Sequence, residues 1–277
     1  MTQQLTPRRP LSTGPARLVA IYGALIRVEL QAASAYRAQL LLSALGWVVP
    51  VSFMALWRGA ASGGPVDGIS AGQFTTYFAV LLLTTSVQLT RHLSFEVAPM
   101  VHSGQLSALL LRPHHPLHVL IARGIAELTF RLTPLLLVMP LLILGIGGIV
   151  THSAPQWVMG VVLMVLGLVA ESYLAAMMGS LALWLTRSSG IRGLLYGAEW
   201  VFGGLVAPIA LLPGILPELL RHQPLWFAIG GPAEAISGIS VVSPWTLVEA
   251  AGWIVVLHLL FTEMWKRGMR RYEAVGT

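Results

Sequence analysis

The sequence predicts an all-α polytopic membrane protein with six transmembrane helices. Of its 277 residues, 56% are hydrophobic and only 10% are charged, against roughly 25% charged residues in ordinary soluble domains. The apolar residues fall into blocks of about 20, the length that a helix needs to cross the hydrocarbon core of a bilayer. A water-soluble globule is therefore not expected.

Six apolar blocks account for the predicted spans. The first two cover residues 38–57 and 73–89, and the segment between them, residues 59–68, is rich in Gly, Pro and Asp, which break helices. The other four cover residues 132–150, 157–185, 194–212 and 245–261. We expect a single transmembrane domain over residues 1–277, made of a tail (1–15), an interfacial helix (16–37), the spans (38–265) and a second tail (266–277).

Basic residues predict the orientation of the spans, because short loops rich in Lys and Arg remain cytoplasmic. Fifteen of the 17 Lys and Arg residues fall on the side of the N terminus, and only Arg58 and Arg221 fall on the other side. We therefore expect both termini in the cytoplasm. The net charge of +6 then reflects topology and acidic lipid headgroups, and it predicts no nucleic-acid partner.

Residues 16–37 are predicted to form an amphipathic helix in the cytoplasmic membrane interface. On a helical wheel its polar and apolar residues lie on opposite sides. The polar side has Arg17, Arg27, Gln31 and Ser34, and the apolar side has Leu18, Ile21, Tyr22, Leu25 and Ile26. Such a helix places its arginines toward acidic headgroups. A cleavable signal peptide is the alternative, but Arg27 and Glu29 interrupt the region that would have to be apolar.

The segment between the second and third spans is too apolar for a free loop. Residues 95–113 include Met100, Val101 and Leu106, and we expect Pro99 and Gly104 to divide the segment into short helical pieces. Two interpretations stay open. An apolar helical elbow on the cytoplasmic face suits the docking of a soluble partner, and it could equally rest on the membrane surface.

Arg123, Glu127 and Arg131 recur at four-residue spacing near the start of the third span. They share one helix face, so both arginines could pair with Glu127. Pairing lowers the cost of placing charge at the membrane interface. We interpret the three residues as a structural charge cluster, since a role in ion translocation would need further acids at the same depth.

Acidic residues inside the apolar blocks are the other candidates for chemistry. Glu171 lies near the middle of the fourth block and Glu199 early in the fifth, while Glu249, His258 and Glu263 lie along the last. A charged group at mid-membrane is costly and usually faces a polar interior or a partner. Glu171 could line a substrate path, relay protons, or sit protonated in a helix interface, and the last of these is favoured.

Metal and enzyme chemistry gain little support. His114, His115 and His118 are close in sequence, but Pro113 and Pro116 disrupt the helix that would aim two imidazoles together. There is no cysteine. A Walker phosphate loop needs Gly-Lys followed by Ser or Thr, and the sole lysine, Lys266, lies in Trp-Lys-Arg-Gly. If ATP drives this protein, another polypeptide hydrolyses it.

Five segments together carry a resemblance to a known family. Residues 202–217, FGGLVAPIALLPGILP, resemble the end of the fifth span in type-two ABC exporter permeases, and residues 224–227 and 231–238 look like the family's short extracellular helices. Residues 101–113, VHSGQLSALLLRP, are similar to the cytoplasmic loop of a subgroup once listed as a domain of unknown function. Residues 265–276 resemble the family's basic ending, and the whole resemblance covers about residues 17–276 in order.

The resemblance implies a permease that forms half of an exporter and has no ATPase or cofactor of its own. It would pair with a second permease chain, identical or related, and with two ATP-binding-cassette subunits that bind ATP and Mg²⁺. It places the coupling helix at about residues 95–106, with contacts from Phe95, Glu96, Val101, Gly104, Gln105 and Leu106. Since the family's second and fifth spans face the cavity, candidates for the translocation path, besides Glu171, are Tyr77, Thr84, Thr85, Glu199 and Phe202.

Other transporter classes fit the sequence less well. ABC importers carry a Glu-Ala-Ala motif with a Gly four positions later, whereas residues 249–252 (EAAG) have another spacing. Vitamin-importer scaffolds carry paired Ala-Arg-Gly signatures, and residues 122–124 are a single copy. The alternative from a different class is an ion- or proton-coupled secondary transporter or channel that uses Glu171 and Glu199.

Overall fold

The computed structural model describes residues 44–88, 90–111, 115–185 and 189–275, together with residues 19, 22–28 and 30–31. The predicted tail at 1–15 and the first part of the first apolar block, residues 38–43, lie outside the described residues. Within the predicted interfacial helix, residues 22–28 are helical. Across the described residues the protein consists of helices and turns, with one isolated bridge between Val66 and Ile69.

Six helices of 13 to 32 residues dominate the described part of the chain and follow the order of the six apolar blocks. They are α1 (Val48–Ala60), α2 (Ala71–Ser86), α6 (Leu117–Ile146), α7 (Ala154–Ser180), α8 (Ser189–Phe202) and α12 (Pro244–Val275). Short helices fill two of the connections. Between α2 and α6 lie α3 (Thr90–Phe95), α4 (Val97–His102) and α5 (Gln105–Leu110), and between α8 and α12 lie α9 (Leu216–Leu220), α10 (Pro224–Ala228) and α11 (Gly230–Ser237).

Among the described residues, two helical stretches are long and apolar enough to cross a membrane, Ala154–Leu183 and Pro244–Tyr272. Helix α6 makes a third when its two bent parts count as one span. Helices α1, α2 and α8 have 13, 16 and 14 residues, and at about 1.5 Å per residue they are shorter than the bilayer core. For these three, the six-span topology stays a prediction.

The bend in α6 has a local cause. The parts Leu117–Leu128 and Arg131–Ile146 meet at 43°, and Pro134 lies inside the helix. A proline has no amide hydrogen and its ring clashes with the carbonyl four residues earlier, which here belongs to residue 130. The bend therefore falls where the helical hydrogen bond is lost.

Helix α8 ends earlier than the predicted fifth block. The apolar residues continue to 212, but the helix stops at Phe202 and is followed by a 3₁₀ turn at Ile209–Leu211. Gly204 has a φ of +89°, a left-handed conformation that interrupts a helix and favours glycine. The irregular backbone is held by side chains, since Tyr77 donates to the Gly204 carbonyl at 2.7 Å and Trp57 donates to the Val206 carbonyl at 2.8 Å.

Helices α10 and α11 form a buried insert between α2 and α7. Every residue from Pro224 to Ser237 is buried, and the two short helices contact α7 while α11 also contacts α2. The resemblance predicted short helices at this point, and the structure has them, enclosed by protein. Their extracellular position stays a prediction. Within a bilayer, backbone outside the long helices is tolerated only where protein encloses it.

Glycines allow this insert to approach its neighbours. A Cβ atom at Gly167 of α7 would lie 2.2 Å from the Phe227 carbonyl carbon and 2.3 Å from the Ala228 nitrogen. Both are backbone atoms, which cannot move aside as the end of a side chain can. The close packing of α7 against α10 therefore requires a residue without a side chain at position 167.

One buried carboxyl group ties the insert to the loop before it. Glu234 of α11 is completely buried and accepts hydrogen bonds from the Ser240 hydroxyl at 2.7 Å and the Ala210 amide at 3.3 Å. The Arg221 guanidinium lies 3.9 Å from the same carboxyl group and donates to the Ser240 hydroxyl at 3.0 Å. A buried charge is tolerated when it is paired and hydrogen-bonded in this way.

We predict that Gly167→Ala destabilises the purified protein by about 1–3 kcal/mol, the typical cost of overpacking. The matched control is Gly252→Ala on α12, where an added Cβ meets nothing within 4 Å and a helical Gly→Ala change should be neutral or stabilising. Thermal unfolding in detergent compares the two variants. Equal melting temperatures would contradict the close backbone contact at Gly167.

Candidate functional site

The predicted docking segment forms an elbow of three six-residue helices, α3, α4 and α5. The breaks fall at Glu96 and at Ser103–Gly104, where Gly104 has a φ of +76°. Pro99 does not divide the segment as we expected. It lies in the first turn of α4, where the missing amide hydrogen would have no partner in the helix.

The inner face of the elbow packs into the bundle. Leu93, Val97 and Leu106 are each 1% exposed, and α3 lies against α6 and α7. A Cβ atom at Gly179, near the end of α7, would lie 2.1 Å from the Leu93 carbonyl oxygen. The elbow is therefore seated on the end of α7 by backbone contact as well as by apolar packing.

The outer face of the elbow is open. Its exposed residues are of mixed character: Phe95, Pro99, His102, Ser103, Gly104, Gln105, Ser107, Ala108, Leu110 and Leu111. Phe95, Leu110 and Leu111 are 40%, 38% and 89% exposed. Of the predicted coupling residues, Phe95, Gly104 and Gln105 are exposed, Glu96 and Val101 are half-buried, and Leu106 belongs to the inner face.

An ion pair joins the elbow to the third long helix. The Arg123 guanidinium of α6 donates to the Glu96 carboxylate at the start of α4. Arg131 donates to Glu127 one helical turn earlier at 2.8 Å, as the spacing predicts. The four-residue spacing predicted Glu127 as a partner of both arginines. The contact between Arg123 and Glu96 was not predicted, because the two residues are 27 positions apart in the sequence.

The elbow also touches α8 and α12. The ring of Phe95 lies 5.4 Å from that of Tyr196 on α8, measured between centroids. The hydroxyl groups of Ser107 and Tyr272 are 2.8 Å apart. Glu199 lies three residues after Tyr196, so the elbow contacts the helix that carries a predicted path residue.

Three predicted path residues lie on α2, and two of them are enclosed. Tyr77 and Thr84 are fully buried, while Thr85 is half-buried. Thr84 and Thr85 both donate to the Leu81 carbonyl of their own helix, at 3.2 Å and 2.6 Å. In this conformation Tyr77 and Thr84 therefore face protein and not an open channel.

The two predicted acids of the membrane interior come together. Glu171 of α7 and Glu199 of α8 are both buried, at 0% and 4% exposure, and they are close enough to interact electrostatically. Phe202, at the end of α8, is 44% exposed, and its carbonyl accepts a hydrogen bond from the Gln223 amide at 2.8 Å.

The histidines near the start of α6 do not form a metal site in the described residues. His114 lies outside these residues, and the His115 and His118 rings are 6.2 Å apart. No group of three or more His, Cys, Asp or Glu side chains within the described ranges could hold a metal ion. Burial, together with the neighbouring His118, lowers the pKa of His115 to about 4, so its imidazole is neutral at pH 7.

The Arg221–Glu234 pair was not predicted from the sequence. One signal was available, since Arg221 is one of only two basic residues predicted on its side of the membrane, and Glu234 is an acid within an apolar segment. The contacts of Tyr22 with His118 and of Tyr173 with His258 carried no such signal, because their partners are 96 and 85 positions apart.

These features define a helical membrane protein whose spans are joined, at one end, to a compact helical elbow with an open face. A family model described as "ABC-2 family transporter protein" matches residues 45–276. The chain therefore belongs to the ABC-2 transporter family, as its resemblance to type-two ABC permeases predicted. Members are the membrane components of ABC transporters and work with ATP-binding subunits. No curated protein matches the chain.

We predict that Glu96→Arg loosens the elbow, because it replaces an attraction to Arg123 by repulsion. Combining it with Arg123→Glu should restore the attachment. Amide hydrogen exchange over α4 and α5 measures the effect, since it reports local opening. Glu263→Arg is the control, because it breaks an exposed i,i+4 pair with Arg267 on α12. The ion pair would be unimportant if Glu96→Arg and this control gave the same exchange.

Proposed function

We propose that this chain is the permease subunit of an ATP-driven exporter and forms half of its translocation path. It acts with a second permease chain, identical or related, and with two ATP-binding-cassette subunits that bind ATP and Mg²⁺. The complex resides in the inner membrane of a prokaryote with both permease termini in the cytoplasm. The elbow carries this proposal, because its inner face is fixed to the bundle while its outer face is free to receive a partner.

The seating of the elbow supports a coupling role over passive contact with the membrane surface. A segment held only by lipid would not need the close backbone contact between Leu93 and Gly179. The exposed face also carries the polar residues His102, Ser103 and Gln105 beside its apolar ones. The exposed Leu110 and Leu111 at its edge suit insertion into an apolar pocket of a partner.

Three contacts can transmit a movement of the elbow to the helix bundle. Leu93 and Gly179 connect it to α7, the Glu96–Arg123 pair connects it to α6, and the Phe95–Tyr196 contact connects it to α8. Packed helices move as rigid bodies. Closure of the ATP-binding subunits would then tilt α8 relative to α2 and open the region around Tyr77, Thr84, Thr85, Glu199 and Phe202 to substrate.

The sequence agrees with ATP hydrolysis by a separate subunit. The chain carries no Walker loop, and its sole lysine lies on α12 at position 266. The permease itself therefore needs no catalytic residue. The Arg123, Glu127 and Arg131 cluster has a structural role in this proposal, as it holds the elbow and the start of α6.

A proton-coupled transporter is the alternative, and one observation favours it. Glu171 and Glu199 are buried near each other in the interior of the bundle, as proton-relaying acids are in many pumps and transporters. In the exporter proposal, Glu171 instead serves the packing of α7 against α8.

We predict that Ser103→Trp disrupts pairing with the ATP-binding subunit. Ser103 is exposed on the elbow and has a right-handed φ of −86°, so the new side chain fits the fold and obstructs the outer face. Ser62→Trp is the matched control, because Ser62 is equally exposed in the loop between α1 and α2. Co-purification and ATP hydrolysis in vesicles are measured. Normal association of Ser103→Trp would refute the docking role of the elbow.

The permease alone, reconstituted in vesicles with an internal pH-sensitive dye, is expected to carry no proton flux under an imposed pH gradient. Glu171→Gln should retain ATP-dependent transport in the complete complex, because glutamine keeps the shape and hydrogen-bonding capacity of the side chain. A proton flux that Glu171→Gln and Glu199→Gln abolish would establish the alternative and overturn the exporter proposal.

A further inference from the structure

A cavity of about 370 Å³ lies beside the elbow, between α6, α7 and α12. Its size falls in the range of small-molecule sites, roughly 300–1,000 Å³. The walls are mainly apolar and include Leu93, Ile121, Val169 and Phe261. Leu93 belongs to the elbow, so the cavity lies under the proposed docking element.

Polar groups cluster at one part of the cavity wall. They are His115, His118, Tyr173 and His258. The His118 imidazole is 2.5 Å from the Tyr22 hydroxyl, and His258 is 3.1 Å from the Tyr173 hydroxyl. This part of the wall therefore presents aromatic and imidazole surface to a ligand.

The cavity adjoins a surface that faces hydrocarbon. Val169 lines the cavity and is itself 41% exposed. On α12, Leu259 and Leu260 lie between the lining residues His258 and Phe261 and are 62% and 51% exposed. Since α7 and α12 are the two helices long and apolar enough to cross a membrane, a ligand entering past Val169 comes from the lipid phase.

Aromatic and basic residues mark the nearby end of α12 as a membrane interface. The Trp265 ring lies 4.7 Å from that of His115 and 5.9 Å from that of Phe261, and tryptophan is enriched at headgroup level. Beyond it, Lys266, Arg267, Arg270 and Arg271 are exposed. At about 1.5 Å per residue they lie roughly 8–15 Å further along the helix than Phe261, within reach of a lipid phosphate.

We propose that this cavity is a binding site for an anionic phospholipid of the adjacent leaflet, whose acyl chain fills the space between α6, α7 and α12. The headgroup remains at the basic end of α12, and the acyl chain runs from there past Phe261 and Tyr173 toward Val169. The lipid supports the elbow from below by occupying space that would otherwise be empty. This site does not depend on the proposed exporter function, because it belongs to the permease alone.

Photo-crosslinking tests the site. The wild-type protein is reconstituted in vesicles of equal parts phosphatidylethanolamine and phosphatidylglycerol that contain a trace of phosphatidylglycerol with a diazirine at the end of one acyl chain. After irradiation, peptides are mapped by mass spectrometry. We expect crosslinks at the lining residues Ser172 and Tyr173. Crosslinks confined to the exposed outer surfaces of α6 and α12, such as Leu136 and Leu259, would overturn the proposal.

Val169→Trp closes the entrance, and we expect it to lower crosslinking at the lining residues roughly tenfold, equivalent to about 1.4 kcal/mol of binding free energy. Val165→Trp is the matched control, because Val165 lies one turn earlier on α7, is 54% exposed and does not line the cavity. It should crosslink as the wild type does. Equal crosslinking of the two variants would refute the cavity as the site.

A second variant and a second lipid probe complete the test. If Val169→Trp fails to fold, Ser172→Leu fills the cavity from a half-buried position and should give the same loss. A probe with the same photoreactive chain on phosphatidylcholine should crosslink less than the anionic probe. Equal crosslinking by the two probes would refute the role of the basic end of α12 in choosing the lipid.

Discussion

The fold depends on enclosing the insert α10–α11 between α2 and α7. Helices of five and eight residues leave most of their terminal backbone groups without partners inside the helix, and lipid offers none. The protein supplies partners through Gln223, whose side chain accepts from the Leu225 amide at 2.8 Å, and through the Ile239 and Ser240 amides, which donate to the Glu234 backbone carbonyl at 2.9 Å and 3.2 Å. Gly167 lets α7 pack closely against α10, which keeps lipid away from the insert. The hydrogen bonds of the insert therefore depend on this close packing.

The same helix, α7, links the insert to the elbow. Its middle receives α10 at Gly167, its buried Glu171 follows one turn later, and its end carries the elbow at Gly179. A displacement of the elbow end of α7 therefore also moves the part that contacts the insert. The backbone contacts at the two glycines contain no flexible side chain that could adjust instead. The proposed coupling needs such a stiff connection between the elbow and the interior.

Local patterns predicted much of the fold, and long-range contacts could not be predicted. Apolar blocks located the six long helices, and Gly104 correctly marked a break in the elbow. The end of α8 was misplaced, because residues 203–212 are as apolar as a span although Gly204 and Pro208 interrupt the helix. The Glu96–Arg123 pair and the burial of α11 depend on tertiary packing, which one sequence without known contacts does not specify. The charge spacing of Glu127 and Arg131, by contrast, is a local property and predicted their contact.

The order of the elements along the chain bears on how the protein assembles in the membrane. A ribosome releases α2 and α7 before α10 and α11, so the two walls of the enclosure exist when the insert emerges. The insert is too short to be stable as a separate membrane helix, and its glycine-rich contacts offer little affinity for lipid. Entry of the insert between walls that are already in place leaves the last long helix, α12, to close the structure by packing against α7.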